Sequence, residues 1–174
     1  MKKIATGKGF ELQLPESYEN LKREAEADIA LCLADKPKAK KLWKLMQKDA
    51  EVNANWDMSN YIAVAKLGYN DHGEIHMKIV AANALKMLRI LTERGVTGDL
   101  VKSKAGDLDD DFLVVLAGGL LHDIGNQVHR EEHNVHGVYL AIPLLNRLLA
   151  QVYQDPEIMY EIRGHILHTI YSHE

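Results

Sequence analysis

Phe112-Leu113-Val114-Val115-Leu116-Ala117-Gly118-Gly119-Leu120-Leu121 is an apolar run that closes on His122-Asp123-Ile124-Gly125-Asn126. Val114-Val115 alone would suit a buried strand. The length of the run and the acidic Asp109-Asp110-Asp111 in front of it favour a helix, since carboxylates complement the positive end of the helix dipole. The glycine pair permits close packing, so the run predicts a helix buried on all sides. Gly125 is placed as its left-handed stop. An imidazole and a carboxylate leaving such a segment together call for a shared partner, and a divalent metal is one.

Outward from this run the apolar spacing stays helical. Asn70-Asp71 opens a helix expected to reach about Arg94, with Gly95 as its stop. Val80, Ala84, Met87 and Leu91 form its stripe, which His72 and His76 extend backward towards the core side. Downstream, a helix from about Glu131 to Tyr153 carries Val135, Val138, Ile142, Leu145, Leu149 and Val152, with a kink expected at Pro143. Asp155-Pro156 reads as the N-cap and first position of a last helix. On its stripe of Ile158, Ile162, Ile166 and Thr169, His165 and His173 lie within about 60° of the centre and His168 well off it.

Upstream, residues 1–14 read as irregular around Gly7 and Gly9, with a brief strand at Phe10 to Leu14. Pro15 to Ser17 reads as a helix entry, and Tyr18, Leu21, Ala25, Ile29 and Cys32 continue it to about Ala34. Asp35 is the expected N-cap of a second helix over 37–50, whose lysines read as a solvated face over a buried stripe. Asn53, Asn55 and Asp57 interrupt the pattern before a short helix around 59–67 that Gly68 ends. Residues 95–108 read as a polar linker. The predicted fold is all-α.

The 174 residues fit one domain, with 47% hydrophobic and 26% charged side chains, an ordinary globular mix. A net charge of -4 argues against a nucleic-acid backbone as main partner. One cysteine, Cys32, leaves no internal disulfide and suggests a cytoplasmic protein. No apolar run approaches the roughly 20 residues that span a bilayer, so no membrane is expected. The N-terminal helices are free to cover the core or to pair with a partner, a homodimer included.

Nine histidines stand out, seven of them between His122 and His173. Inward positions of three predicted helices carry His72 and His76, His122 and Asp123, and His165, and His136 opens a fourth segment. Burying that many polar rings without a common partner costs on the order of a few kcal/mol per unsatisfied group. A shared metal satisfies them together.

His76, followed 46 residues later by the Leu121-His122-Asp123-Ile124-Gly125 string, resembles the HD-domain superfamily of metal-dependent phosphohydrolases. The likeness covers about residues 70–174, leaving about 1–68 as a helical extension. It implies an all-α bundle that hydrolyses phosphate esters, nucleotides often among them, with one or two divalent ions (Mn, Fe, Ni, Co or Zn, or Mg). His76, His122 and Asp123 match the family's first ligand and central pair. His136 and His165 occupy places where two-metal members add histidines, with His133, His168 and His173 as competitors. Asp123 would also orient the attacking water, and His72 or His129 would protonate the leaving group. His72 has other readings: a further ligand, a donor behind the ligands, or a cap of the helix start. The family's usual lysine after the motif is Asn126 here, so Arg130 or His129 is expected to bind a small phosphorylated substrate. The family's last ligand is a downstream aspartate, but Asp155 reads as a helix cap. That ligand is therefore expected on a C-terminal part outside the chain. The same likeness admits a di-iron oxygenase, or a non-catalytic domain that binds metal or nucleotide.

Overall fold

The computed structural model describes residues 2–6, 10–14 and 16–174. Gly7, Gly9 and the helix entry at Pro15 lie outside the described residues. An antiparallel hairpin, β1 (Lys2–Thr6) and β2 (Phe10–Leu14), pairs Lys2 with Leu14 and Thr6 with Phe10, so the expected strand has a partner. The remainder is helical: α1 (Glu16–Cys32), α2 (Pro37–Lys48), α3 (Ala50–Asn60), a π-helical turn (Tyr61–Lys66), α4 (Glu74–Glu93), α5 (Asp99–Ser103), α6 (Leu108–Leu121), a 3-10 turn (Ile124–Gln127), α7 (His133–Leu149) and α8 (Pro156–Tyr171). The protein is an all-α bundle. None of its described helices is long and apolar enough to cross a membrane.

α6 is the central helix. Twelve of its fourteen residues are buried, and α2, α4, α5 and α8 pack around it. Its glycines serve close approach: a Cβ on Gly119 would lie 2.8 Å from Ala81 Cα of α4, and one on Gly118 would meet Thr169 of α8. The helix begins one turn before the apolar run. Asp107 is its N-cap, and Asp107 and Asp110 form a reciprocal capping box. Asp109 then reaches across to accept from the Lys38 and Ala39 amides at 2.7 and 3.0 Å, so it satisfies the start of α2. The expected cap Asp35 does not: Lys36 is the boundary residue, and Asp35 pairs with its ammonium instead.

Three further expectations change. Asn53, Asn55 and Asp57 do not break the chain, because Asp49 caps α3 through the Glu51 and Val52 amides and carries helix through them. The linker contains α5. The buried face of α4 is Ile75, Met77, Lys78, Ala81, Ala82 and Leu85, whereas Met87 and Leu91 are exposed. Two neighbours decide this. α4 is held between α1 and α6, and its face follows Ala81 against Gly119 and Lys78 against Glu26 of α1. Gly68 and Gly95 do stop their helices with positive φ, at 72° and 82°.

Candidate metal centre

His122 and Asp123 emerge where α6 ends, and the following 3-10 turn is seated by the N-terminal helices. Trp56 Nε1 donates to the Leu120 carbonyl at 2.8 Å, Ser59 Oγ to the Ile124 carbonyl at 3.1 Å, and Gln127 Nε2 to Asn55 Oδ1 at 3.0 Å. The segment read as an extension thus buttresses the motif from behind. Gly125 is a glycine for a different reason from the one expected: its φ is not positive. A Cβ there would lie 1.8 Å from the His133 carbonyl oxygen and 2.5 Å from the Gly137 amide, so only glycine lets α7 approach.

At the start of α4, Asp71 accepts from the Gly73 and His76 amides at 3.3 and 3.1 Å. This brings the His76 ring to the end of α6. His76 Nε2 is 3.3 Å from His122 Nε2, and Asp123 Oδ2 lies 3.3 and 3.2 Å from those two nitrogens. On the other side of the same carboxylate, Oδ1 is 2.9 Å from His133 Nε2 and 3.6 Å from His173 Nε2, which are 3.0 Å apart. Each carboxylate oxygen therefore faces its own pair of imidazoles. Nitrogen and oxygen ligands about 2.1 Å from one ion lie roughly 3.0–3.4 Å from each other in tetrahedral or octahedral arrangement. The His76–His122–Asp123 triad has that spacing, and the His133–His173–Asp123 triad comes near it, with His173 Nε2 the outlier at 3.6 Å from Oδ1.

Tautomers sharpen the fit. His122 Nδ1 contacts the Gly119 carbonyl at 3.0 Å, His133 Nδ1 the Arg130 carbonyl at 3.0 Å, and His173 Nδ1 the Ile170 carbonyl at 2.7 Å. A carbonyl only accepts, so each Nδ1 carries the proton and a neutral ring turns an Nε2 lone pair into the site. His133 and His173 thus aim two lone pairs at one another and at a carboxylate oxygen. That repulsion is relieved by a proton on His173, by the Arg130 guanidinium 3.4 Å from His133 Nε2, or by a divalent metal, and the donor set fits such a metal.

Electrostatics separate the two rings beside Oδ1, favouring neutral His133 and, without a metal, protonated His173. Burial alone would raise the Asp123 carboxyl, but the His122, His173 and His76 imidazoles around it, which would donate from Nε2 when protonated, outweigh it and hold it far below the usual carboxylate range. Burial pushes the His133 imidazole down, towards its neutral ligand form. Burial opposes charge on His173 as well, but its contact with Asp123 prevails and raises it. Asp123 and His133 are closed to solvent, and the rim lies at His76 and His173, 31% and 20% exposed.

Of the residues anticipated as ligands, His76, His122 and Asp123 come together, and His136 and His165 do not join them. His136 is turned about 60° round α7 from His133. His165 is two turns above His173, about 12 Å along the α8 axis. Their places are taken by His133 and His173. A signal for His133 was present: Gly137, four residues on, marks the face of α7 that meets the motif.

Asn126 is buried and donates to the Asp123 carbonyl and to Oδ1, both at 3.0 Å. Its own oxygen accepts from Arg130 at 3.1 Å, which sets that guanidinium beside the site. His72 stacks near His76, ring centres 5.3 Å apart, with its Nδ1 on the Asn70 carbonyl. His129 is exposed and accepts from the Glu131 amide, closing a turn away from the described triads. Asp155 caps α8 through the Glu157 amide at 2.8 Å, as expected.

No family model matches the chain, and no solved structure matches it. Over 134 residues, 77% of this chain, it is 44% identical to an uncharacterized protein of Methanocaldococcus jannaschii. The stretch covers 51% of that protein, so the chain spans about half the length of this relative.

Proposed function

We propose that the protein is an HD-type metal-dependent phosphohydrolase with a two-ion centre, His76 and His122 on one side of a bridging Asp123 and His133 and His173 on the other. The observation that carries this reading is the clustering of two imidazole Nε2 atoms on each side of one ionised carboxylate. When bound, divalent ions supply Lewis acidity and lower the pKa of a coordinated water. The chain's own residues do the rest. Asp123 would offer one oxygen to each position, and Asn126 fixes its orientation by donating to Oδ1. Arg130, half-exposed beside His133, offers a forked donor to a phosphoryl group at the rim. His72 adjoins the His76 side of the opening, with Nε2 turned from its backbone contact, and is placed to hand a proton to a departing alcohol.

Four imidazoles with a single carboxylate also suit iron, which favours a second reading, a di-iron oxygenase. Metal analysis, phosphoester hydrolysis and oxygen consumption separate the two. With Mn, Co or Ni added, purified protein should hydrolyse members of a panel of phosphomonoesters and phosphodiesters without taking up oxygen. Asp123→Ala, with unchanged circular dichroism, should lose the metal and slow hydrolysis on the order of a thousandfold, since metal assistance contributes several kcal/mol. Undiminished turnover by metal-free Asp123→Ala would sink the proposal.

A further inference from the structure

The two halves of the centre are not equivalent. Around Asp123 Oδ2, the His76 and His122 nitrogens face the carboxylate with no cationic side chain paired to them among the described residues. Around Oδ1 there are two competitors for the positions an ion would use. Asn126 already donates to Oδ1 at 3.0 Å. Arg130 Nη1 lies 3.4 Å from His133 Nε2. The His133 Nδ1 proton is committed to the Arg130 carbonyl, so Nε2 is an acceptor and the guanidinium donates to the lone pair that metal binding requires. A fixed positive charge at that distance also repels a second divalent ion.

We infer that Arg130 withholds the second ion: the His76–His122 position fills first, and the His133–His173 position fills tightly only when an anion draws the guanidinium away. This rests on the metal reading above. The side chain is able to leave without disturbing the ligand it blocks. Its backbone carbonyl orients His133, whereas its half-exposed guanidinium extends over the Tyr69 ring at 5.7 Å and towards Glu174 at 3.9 Å. A phosphate group is a stronger partner for it than the Asn126 amide oxygen, because both charges then contribute and the contact becomes bidentate. Arrival of a phosphorylated ligand would thus complete the centre.

Calorimetric titration of metal-stripped protein with Mn(II), checked by the electron spin resonance of free Mn(II), reads this directly. The unmodified protein should show one tight ion and a second at least about tenfold weaker. His133→Ala should remove the weak step and His76→Ala the tight one. Arg130→Met should tighten the second step at least about tenfold and leave the first in place. Inorganic phosphate at a fixed millimolar level should tighten the second step in the unmodified protein and not in Arg130→Met. Two equal steps in the unmodified protein, an unchanged second step in Arg130→Met, or an equal phosphate effect in both would overturn the inference while leaving the metal reading intact. Absence of any Mn(II) binding would overturn both.

Discussion

Asp111, away from the candidate metal centre, is one of two side chains among the described residues with a buried polar atom left unpaired. It is buried, its Oδ1 accepts from the Leu100 amide at 3.3 Å, and its Oδ2 has no hydrogen-bond partner among the described residues. Gly98 packs so near that a Cβ there would lie 2.1 Å from Oδ2. Burial, with Asp110, Asp99 and Asp107 nearby, raises its pKa. A carboxyl whose folded pKa is raised binds its proton more tightly in the native state. Its contribution to stability is therefore best at low pH and declines as pH rises from the unfolded value through the folded one. At neutral pH the full penalty applies. Asp111→Asn keeps the acceptor for Leu100 and removes the charge, so it should stabilise the protein by about 1 kcal/mol at pH 7. Thermal melts across pH 4–8 should show that gain shrinking towards the acid end.

Between elements, glycines decide whether α7 reaches the site at all. Gly125→Ala places a methyl on the His133 carbonyl and the Gly137 amide. Both are backbone, so α7 has to move as a body. The expected loss is about 3 kcal/mol, at the upper end for overpacking, together with weakened metal binding through the displaced His133. Gly164 is the contrast. It is an exposed position inside α8 with nothing within 4 Å of a built Cβ. Gly164→Ala should stabilise the helix by about 0.5–1 kcal/mol through propensity alone. Chemical denaturation of the two variants tests the pair. A Gly125→Ala protein as stable as its parent would mean the α7 contact is looser than its geometry.

For the molecule as a whole, the candidate metal centre joins parts that are far apart in the chain. The ligand set draws on α4, the ends of α6 and α8, and the start of α7, while α3 supports the turn between them. Ions that bind only this assembled state stabilise it by linkage, about 2.7 kcal/mol per site at a hundredfold excess over Kd. For a chain of this size that corresponds to a rise in Tm of about 5–10 °C. Differential scanning fluorimetry with Mn(II) against a chelator should show it, and Asp123→Ala should melt at one temperature in both. The apolar Met87, Ile90 and Leu91 of α4 remain exposed on the far side of this arrangement.

Much of this architecture was legible in the residues. Apolar spacing locates α1, α2, α4, α6, α7 and α8, because a helix is a local structure whose hydrogen bonds span only four residues. The conjunction of His76 with His122-Asp123 also stood out, since two polar groups at the end of a wholly buried helix require a common partner. Periodicity, however, gives only an angle about an axis. It cannot say how far along its axis one helix meets another, and that distance separates His173 from His165. Nor could it show that α4 is gripped from two sides, that Asp109 caps another helix, or that Asn126 holds the carboxylate and positions Arg130. Those relations depend on side chains meeting across elements, where a shift of one turn, about 5.4 Å, exchanges one histidine for another.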